Sequence, residues 1–541
     1  MDRLIRANPY VVRPITFLDN QRTVFFERRC YSVNPVMIAE CAMATETELK
    51  LRLSPEHLAR LRRCALFRTN QLAAPVTRRL YNIYYDSEAL DLHRSQMALR
   101  LRRVGKRWVQ TLKGGGSVKA GLHQRSEWET EVSKAALDFS MLAEAGVPLL
   151  SPDTLQALFV TDFFRTSRMM DWHDARIEVC MDRGLVTARG SSAPICEVEL
   201  ELKSGDPLRL FELAQEILNI VPFELEVVSK AELGFRLLSG HVEQPVRSVA
   251  PVFSKKDKLT QVLQALIWSC LTHFQGNLRG ALGGSDAEYL HQMRVALRRL
   301  RVVLNMAQKL HADETLRCLI QDVANLATML GRIREWDVFI DGIARPASEQ
   351  MADHAGLKAL LERCERQRSA CYETLRGMGV SMQQLLLRFS IWMNGPYWTQ
   401  AKEGAPRTHE FARRHLSKLA KRYAQAGRHP RAADADRLHK MRILAKKLRY
   451  SADFFAGLYG SRKTAAFLNA LGEVQGLLGL SNDVSIAHGL LDEMSGQPEL
   501  AAHLEAIRLA KGWADKDLLF IIKMLHDSIG RFSRQAAFWE K

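Results

Sequence analysis

Charge falls on every second residue in several short stretches of this chain, and both signs share the same stretches. Glu46, Glu48, Lys50 and Arg52 alternate with Thr47, Leu49 and Leu51, while Glu197, Glu199, Glu201 and Lys203 alternate with Val198, Leu200 and Leu202. A strand repeats every two residues, so each charged set shares one face and the apolar residues share the other. The same spacing joins Arg100 to Arg102, Arg125 to Glu127, Glu129 and Glu131, and Arg176 to Glu178 and Asp182. The simplest structure that uses them all is a closed sheet with its charges pointing inward. Such a lumen suits multivalent anions bound together with metal ions, because carboxylates take the cations and Arg and Lys take the phosphates.

A second set of cations is carried by a duplication. His291-Gln-Met-Arg294-Val-Ala-Leu-Arg298-Arg-Leu-Arg301 recurs as His439-Lys-Met-Arg442-Ile-Leu-Ala-Lys446-Lys-Leu-Arg449. Leu330-Gly331 before Asp337-Val338 recurs as Leu478-Gly479 before Asp483-Val484. On an α-helix the offsets 0, +3, +7 and +10 fall within an arc of roughly 80°. His291, Arg294, Arg298 and Arg301 therefore share a face, as do His439, Arg442, Lys446 and Arg449. Met293, Leu297, Leu300 and Leu304 form the opposite stripe in one copy, and Met441, Ala445, Leu448 and Ala452 in the other. Cations lined up without interspersed acids repel one another unless an anion lies between them. Two such helices side by side predict a groove for a phosphate polymer or another polyanion.

The elements that must position these residues divide the chain in two. Strand-like alternation recurs at 45–53, 80–86, 98–104, 107–113, 125–132, 175–181 and 195–203, with helical stretches at 55–65, 135–145 and 207–219. Turn clusters at Gly114–Ser117 and Arg189–Pro194 separate strands. After a linker spanning Pro245–Pro251, helical periodicity takes over from about Ser254. Residues 1–42 show neither pattern and read as a leader, with Met43 a plausible start. The expected divisions are a leader at 1–42, a strand-rich domain at 43–242, a linker at 243–255 and a helical domain at 256–541.

The net charge of +17 asks for a polyanionic partner. Nine cysteines, odd in number and with no Cys-x-x-Cys pair, suggest neither a disulfide framework nor a zinc site and fit a reducing, cytoplasmic setting. No apolar run is long enough for a membrane span, so no membrane partner is expected.

Two family resemblances follow. The first half resembles the CYTH superfamily of triphosphate tunnel metalloenzymes through Glu46-Thr-Glu48-Leu-Lys50, joined in order by Ala98-Leu-Arg100-Leu-Arg102, Gln110-Thr-Leu-Lys113, Gly121-Leu-His-Gln-Arg125-Ser-Glu127-Trp-Glu129, Phe159-Val-Thr-Asp-Phe-Phe-Arg165-Thr166, Asp182-Arg-Gly184, Glu197-Val-Glu199-Leu-Glu201 and Ser229-Lys230. The second half resembles the CHAD domain, a histidine-containing helical family, through its two His-x-Met-Arg repeats. Together they imply an α+β fold: an eight-stranded antiparallel tunnel barrel followed by an all-α domain of two helical-bundle repeats. The resemblance also implies that Glu46, Glu48, Glu199 and Glu201 hold a divalent ion, Mg²⁺ or Mn²⁺, with Glu127 and Glu129 candidates for a second. Lys50, Arg100, Arg102, Lys113, Arg125, Arg165 and Lys230 would contact phosphates. Leu233 departs from the pattern, since a basic residue is expected there.

The implied activity is metal-dependent hydrolysis of inorganic triphosphate by in-line attack of water, with Glu46, Glu48, Lys50 and Glu129 as the catalytic set. The helical half is then expected to bind inorganic polyphosphate, with association with polyphosphate granules. The rivals are adenylate cyclase or thiamine triphosphatase chemistry on the same tunnel, and a non-catalytic polyphosphate binder. Nucleic acid is disfavoured because no aromatic stacking platform or recognised module is evident. The oligomeric state is left open.

Overall fold

The computed structural model describes residues 44–540 except 71, 145–153, 285, 312, 400–405, 428–434 and 497–502. The leader expected at 1–42 lies outside the described residues. The strands are β1 (Ala44–Arg52), β2 (Val76–Ser87), β3 (Met97–Val104), β4 (Arg107–Lys119), β5 (Leu122–Val132), β6 (Leu155–Trp172), β7 (Ala175–Ala188), β8 (Ser191–Ser204) and the short β9 (Glu224–Leu225). Among them lie helices α1 (Pro55–Arg62), α2 (Leu66–Thr69), α3 (Asp91–Arg94), α4 (Phe139–Glu144) and α5 (Leu208–Ile220). Helix α6 (Lys230–Ser239) follows β9, capped by Ser229, whose hydroxyl accepts from the Glu232 N–H.

The sheet runs β5-β4-β3-β2-β6-β7-β8-β1, and pairing of β5 with β1 closes it into an antiparallel eight-stranded barrel; β9 adds to β1. Closure reverses the usual arrangement of a soluble domain. Leu49, Leu51, Val198 and Leu200 point outward into the apolar core beneath α1 and α5, while the alternate charges face the lumen. One end of the lumen is filled by Leu80, Tyr84, Phe159, Phe163, Val186 and Ile195 packed against Phe235 of α6. Leu233 joins this plug, which explains why an apolar side chain stands where a basic one was expected. Gly234 lets the helix come close, since a Cβ there would fall 2.1 Å from the Phe159 ring.

Two features departed from the expected pattern. Strand β6 had no clean alternation because apolar Phe163 faces the lumen side while Phe164 is exposed. Gly114–Ser117, read as a turn, lies within β4, where the β4–β5 register shifts at a bulge.

The helical half comprises α7 (Leu259–Gly283), α8 (Ala287–Ala307), α9 (Glu314–Phe339), α10 (Arg345–Gln350), α11 (Ala355–Gly377), α12 (Gly379–Asn394), α13 (Pro396–Thr399), α14 (Thr408–Ala426), α15 (Ala435–Phe454), α16 (Ser461–Ser495), α17 (Leu504–Asp515) and α18 (Leu518–Ser533). No helix is long and apolar enough to cross a membrane. One hydrophobic cluster continues from the outer wall of the barrel through α5 into α7, α8 and α12. At that junction Leu225 of β9 donates its N–H to Gln383 Oε1 and accepts from Gln275 Nε2, both at 3.1 Å.

Gly184 tests the barrel's closeness of packing. A Cβ there would lie 2.2 Å from the Asp162 carbonyl oxygen and 2.4 Å from Phe163 Cα, both backbone atoms of β6. Gly184→Ala is expected to lower stability by about 1–3 kcal/mol through overpacking. An unchanged thermal midpoint would contradict this β6–β7 geometry.

Candidate active site and basic groove

The lumen encloses a cavity of about 340 Å³. Every barrel residue singled out from the sequence borders it: Glu46, Glu48, Lys50, Arg100, Arg102, Lys113, Arg125, Glu127, Glu129, Arg165, Glu199, Glu201 and Lys230. Arg78, Tyr84, Glu178 and Lys203 line it as well. Some residues in the alternating stretches do not reach it. Arg52 leaves the lumen to meet Glu224 and Glu226, Glu131 faces Arg107 at 3.6 Å near solvent, and Arg176 meets Asp171. In each case the strand has passed the rim of the barrel.

The inner charges form a paired network at one level of the lumen. Lys50 Nζ lies 2.9 Å from Glu48 and also contacts Glu199. Arg165 donates Nε and Nη2 to the two oxygens of Asp182 at 2.8 and 2.6 Å and reaches Glu199 as well. Lys230 Nζ sits 2.7 Å from Asp182 and 2.8 Å from Glu199, and also contacts Glu197. Burial works against the charge on Lys50, but Glu199 and Glu48 outweigh it and raise its pKa. The same competition, won by Lys230, Lys50 and Arg165, holds Glu199 well below the usual carboxylate range. Glu197 goes the other way: burial dominates, and despite Lys230 and Lys50 it is pushed up to about 7.

Asp182 and Glu197 were not singled out as site residues. Both carried a signal: Glu197 begins the alternation that contains Glu199 and Glu201, and Asp182 shares the period-two face of Arg176 and Glu178. Oxygens of Asp182, Glu197 and Glu199 lie within 4.8 Å of one another, a geometry able to hold a metal ion. The Lys230 ammonium contacts all three and supplies a cation at that place.

A second level is richer in acid. Cross-strand register sets Glu48 opposite Glu201, and Glu201 opposite Glu178. Burial, and then the Glu46 and Glu178 charges against Lys203, raise the Glu201 pKa. Across the lumen the balance tips to cations. Arg102 donates Nε to Asn82 Oδ1 at 2.8 Å and has no carboxylate within ion-pair distance among the described residues. Burial, with Arg100 and Arg165 adding to it, lowers its pKa to about 10. Arg100 meets Glu127 at 3.6 Å, and its buried Nε has no hydrogen-bond partner among the described residues. Lys113 bridges Glu46 and Glu127, and Glu129 accepts from Thr111 Oγ1 at 3.2 Å. The arrangement offers an acid-rich wall for cations facing a guanidinium-rich wall for anions.

In the helical half the two repeat helices are α8 and α15. Arg294, Arg298, Arg442 and Lys446 come together between them. Burial and then Arg298, Arg442 and Arg294 push Lys446 down to about 7. Burial and Arg298 lower Arg294 to about 10, with Arg334 and Arg442 contributing. His291 is pushed to about 4 by burial, against Glu288 and with Arg334, Arg298 and Arg294. Arg294 Nη1, Arg298 Nε and Arg442 Nε are buried nitrogens with no hydrogen-bond partner among the described residues. Arg334 of α9 was missed, although it lies in the second repeated segment. Glu335 and Asp483 oppose the cations from facing helices, so the groove is not free of acid. Arg301, His439 and Arg449 stand exposed, and Arg449 Nη1 donates to Gln475 at 2.9 Å. Gly331 makes room for the groove: a Cβ there would lie 2.8 Å from Arg294 Nη1.

Comparisons with known proteins agree with this geometry. Residues 44–227 match the CYTH domain family and residues 265–492 the CHAD domain family. An inorganic triphosphatase of Haemophilus influenzae is 33% identical over 211 residues, which is 37% of this chain and 56% of that protein, so the match spans little more than half of the relative's length. An uncharacterized protein of Mycobacterium tuberculosis is 26% identical over 408 residues, covering 70% of this chain and 76% of its own. A crystal structure of the CHAD domain from the plant Ricinus communis aligns with 53% of this chain and 97% of its own at 29% identity and a TM-score of 0.46. The chain is therefore a CYTH–CHAD protein, a CYTH tunnel barrel joined to a CHAD helical domain.

Proposed function

We propose that this chain hydrolyses inorganic triphosphate in the barrel lumen and retains inorganic polyphosphate on the CHAD groove. The observation that carries the first part is the half-buried Arg102, beside Arg100 and Arg165, with no carboxylate partner among the described residues. A partly desolvated cation of this kind is costly until an anion arrives, and the cavity has room for a short phosphate chain. Similarity to the Haemophilus influenzae inorganic triphosphatase supports the same reading.

Hydrolysis of such a chain is slow in water because its charge repels an incoming oxygen. Arg100, Arg102, Arg125 and Arg165 would spread that charge and align the phosphates for in-line attack. Lys50 and Lys230 brace the acids that flank them. The acid-rich wall fits a divalent ion, because among the described residues Glu46, Glu48, Glu178 and Glu201 form ion pairs only with Lys113, Lys50 and Lys203. Glu199 is already engaged by three cations, so Glu46, Glu48 and Glu201 would carry most of the binding, with Glu127 and Glu129 candidates for a second ion. When bound, Mg²⁺ or Mn²⁺ supplies Lewis-acid stabilisation of phosphoryl oxygens and lowers the pKa of a coordinated water. Glu129, which accepts from Thr111 Oγ1, would take the proton.

Phosphate release from tripolyphosphate, with ATP and thiamine triphosphate in parallel, is expected to be fast with Mg²⁺ or Mn²⁺ and absent in EDTA. Glu46→Gln/Glu48→Gln should cost at least about 10²-fold in kcat. Release confined to ATP or thiamine triphosphate would replace the substrate, and no release from any of them would leave a polyphosphate binder.

The groove reading rests on the orphaned guanidinium nitrogens of Arg294, Arg298 and Arg442. Arg294→Glu/Arg298→Glu/Arg442→Glu/Lys446→Glu should abolish retention on immobilised polyphosphate while tripolyphosphate turnover persists. Retained binding by the folded variant would remove the groove from the account.

Lys230→Met separates the ammonium cage from a metal site. Removing the cation from Asp182, Glu197 and Glu199 should cost about 3–5 kcal/mol in EDTA, measured by denaturant unfolding. Full recovery on adding Mg²⁺ would show that the triad itself takes an ion. No loss in EDTA would show that these acids do not need the lysine.

A further inference from the structure

The offsets that define the two repeat helices occur a third time, outside the duplication. His415, Lys418 and Arg422 on α14 stand at 0, +3 and +7, as His291, Arg294 and Arg298 do on α8 and His439, Arg442 and Lys446 on α15. They share one helical face. Two contacts place that face where three helices meet. Lys309, just beyond the C-terminus of α8, has Nζ 3.4 Å from His415 Nδ1. His415 Nε2 lies 3.1 Å from Ser451 Oγ, a fully buried hydroxyl on α15. An ammonium only donates, so Nδ1 accepts from Lys309 and the ring proton on Nε2 is donated to Ser451.

Arg301 on α8 and Lys447 on α15 complete the cluster. Burial and then Arg422 and Arg301 lower the Lys447 pKa, and burial followed by Lys418 and Arg422 lowers that of Lys309. His415 is pushed to about 4 by burial, Lys309 and Lys418. Only cations act on these three groups besides burial. Arg301, Lys309, Lys418, Arg422 and Lys447 are all exposed, and none has a carboxylate within ion-pair distance among the described residues. Surface cations are usually interspersed with acids. Their convergence here is electrostatically unfavourable until a multivalent anion joins them.

We propose that Arg301, Lys309, Lys418, Arg422 and Lys447 form a second polyphosphate-binding site, which takes the part of a long chain that runs out of the α8–α15 groove. This rests on the reading that the groove binds polyphosphate. Arg294 and Arg298 in the groove and Arg301 in the cluster follow one another along α8, and Lys309 stands just past its end, so the two sites are continuous. From Arg294 to Lys309 the helix path is about 22 Å at ~1.5 Å per residue, so one ligand reaches both only as a polymer. Phosphate is favoured over nucleic acid because the cluster offers no free ring among the described residues. Phe411, the aromatic beside it, is stacked on His415 at 5.7 Å and packs against the apolar core.

The test uses the full chain and measures affinity for short and long inorganic polyphosphate across a salt series. In Lys418→Ala/Arg422→Ala/Lys447→Ala, three exposed positions change, and the thermal midpoint checks folding. Long polyphosphate should bind about tenfold more weakly, with the salt slope reduced by about 2, while short polyphosphate is unaffected. The four-residue groove variant should weaken both lengths. Unchanged affinity of the triple variant for the long chain overturns the second site and leaves the groove standing. A groove variant that binds both lengths normally instead defeats the reading beneath it. Single-stranded DNA of matched charge runs alongside, and a loss confined to DNA reassigns the cluster and overturns the proposal.

Discussion

Pairing of β1 with β5 is the constraint on which the barrel depends. Without it the sheet is open, and the charged face of each strand can turn to solvent. With it, Glu46, Glu48 and Lys50 are enclosed together with Arg100, Arg102, Arg165, Glu199 and Lys230. Enclosure removes water from ions, and several kcal/mol per ion must then be offset by partners. Most of the partners are protein groups: Lys50 with Glu48 and Glu199, Arg165 with Asp182, and Lys230 with three acids. Those pairs fix side-chain positions around the space that remains. The charge on Arg102, which has no carboxylate partner among the described residues, and the unpaired Nε of Arg100 then define which ligand completes the lumen.

The helical half bears on the same strand. Its α7 and α12 hold both backbone polar groups of Leu225 through Gln275 and Gln383, and Leu225 pairs with Leu51 of β1. Arg279 of α7 meets Glu224 and Glu226; the Glu226 N–H donates to the Lys50 carbonyl oxygen at 2.8 Å, and the Glu226 carbonyl oxygen lies 3.0 Å from His123 Nε2. His123 stands opposite Glu48 in the β1–β5 register. The strand that carries Glu46, Glu48 and Lys50 is therefore held on one side by its own sheet and on the other by residues braced from the CHAD domain. The two halves have separate chemistry, but the position of the lumen's first strand belongs to both.

Much of this was legible in the sequence for a simple reason. Period-two charge is rare enough to declare a strand face, and a repeated His-x-Met-Arg declares a helix pair, whatever the rest of the chain does. Glu46, Glu48, Lys50, Arg100, Arg102 and Lys113 could be placed from alternation and motif together. What escaped depended on contacts between distant segments. Lys230 was expected to face phosphate, yet its immediate neighbours are Asp182, Glu197 and Glu199, a cage assembled from β7, β8 and α6. Arg301, Arg449 and His439 share the helical arc of the groove residues but stand exposed, whereas Arg294, Arg298, Arg442 and Lys446 are half-buried, because a shared arc does not fix which residues meet the facing helix. The α14 stripe was overlooked because it lies outside the duplication that drew attention to the other two.

The balance of acids and cations separates what each half can do. In the lumen, carboxylates from β1, β5, β7 and β8 stand against the guanidinium groups, and an acid-rich wall of this kind has no use in holding phosphate alone. It repels the ligand unless divalent ions stand between, so its presence argues for metal-assisted chemistry rather than simple binding. The groove has the opposite composition. Glu335 and Asp483 are the acids that act on its arginines, while Arg294, Arg298 and Arg442 retain buried donors without acceptors. His291 lies half-buried among cations and is pushed down to about 4. Such a surface would gain free energy by holding a polyanion. The proposed hydrolysis is thereby assigned to the acid-lined lumen and the proposed retention to the groove, and a chain long enough to need the groove can present only its end to a cavity of about 340 Å³.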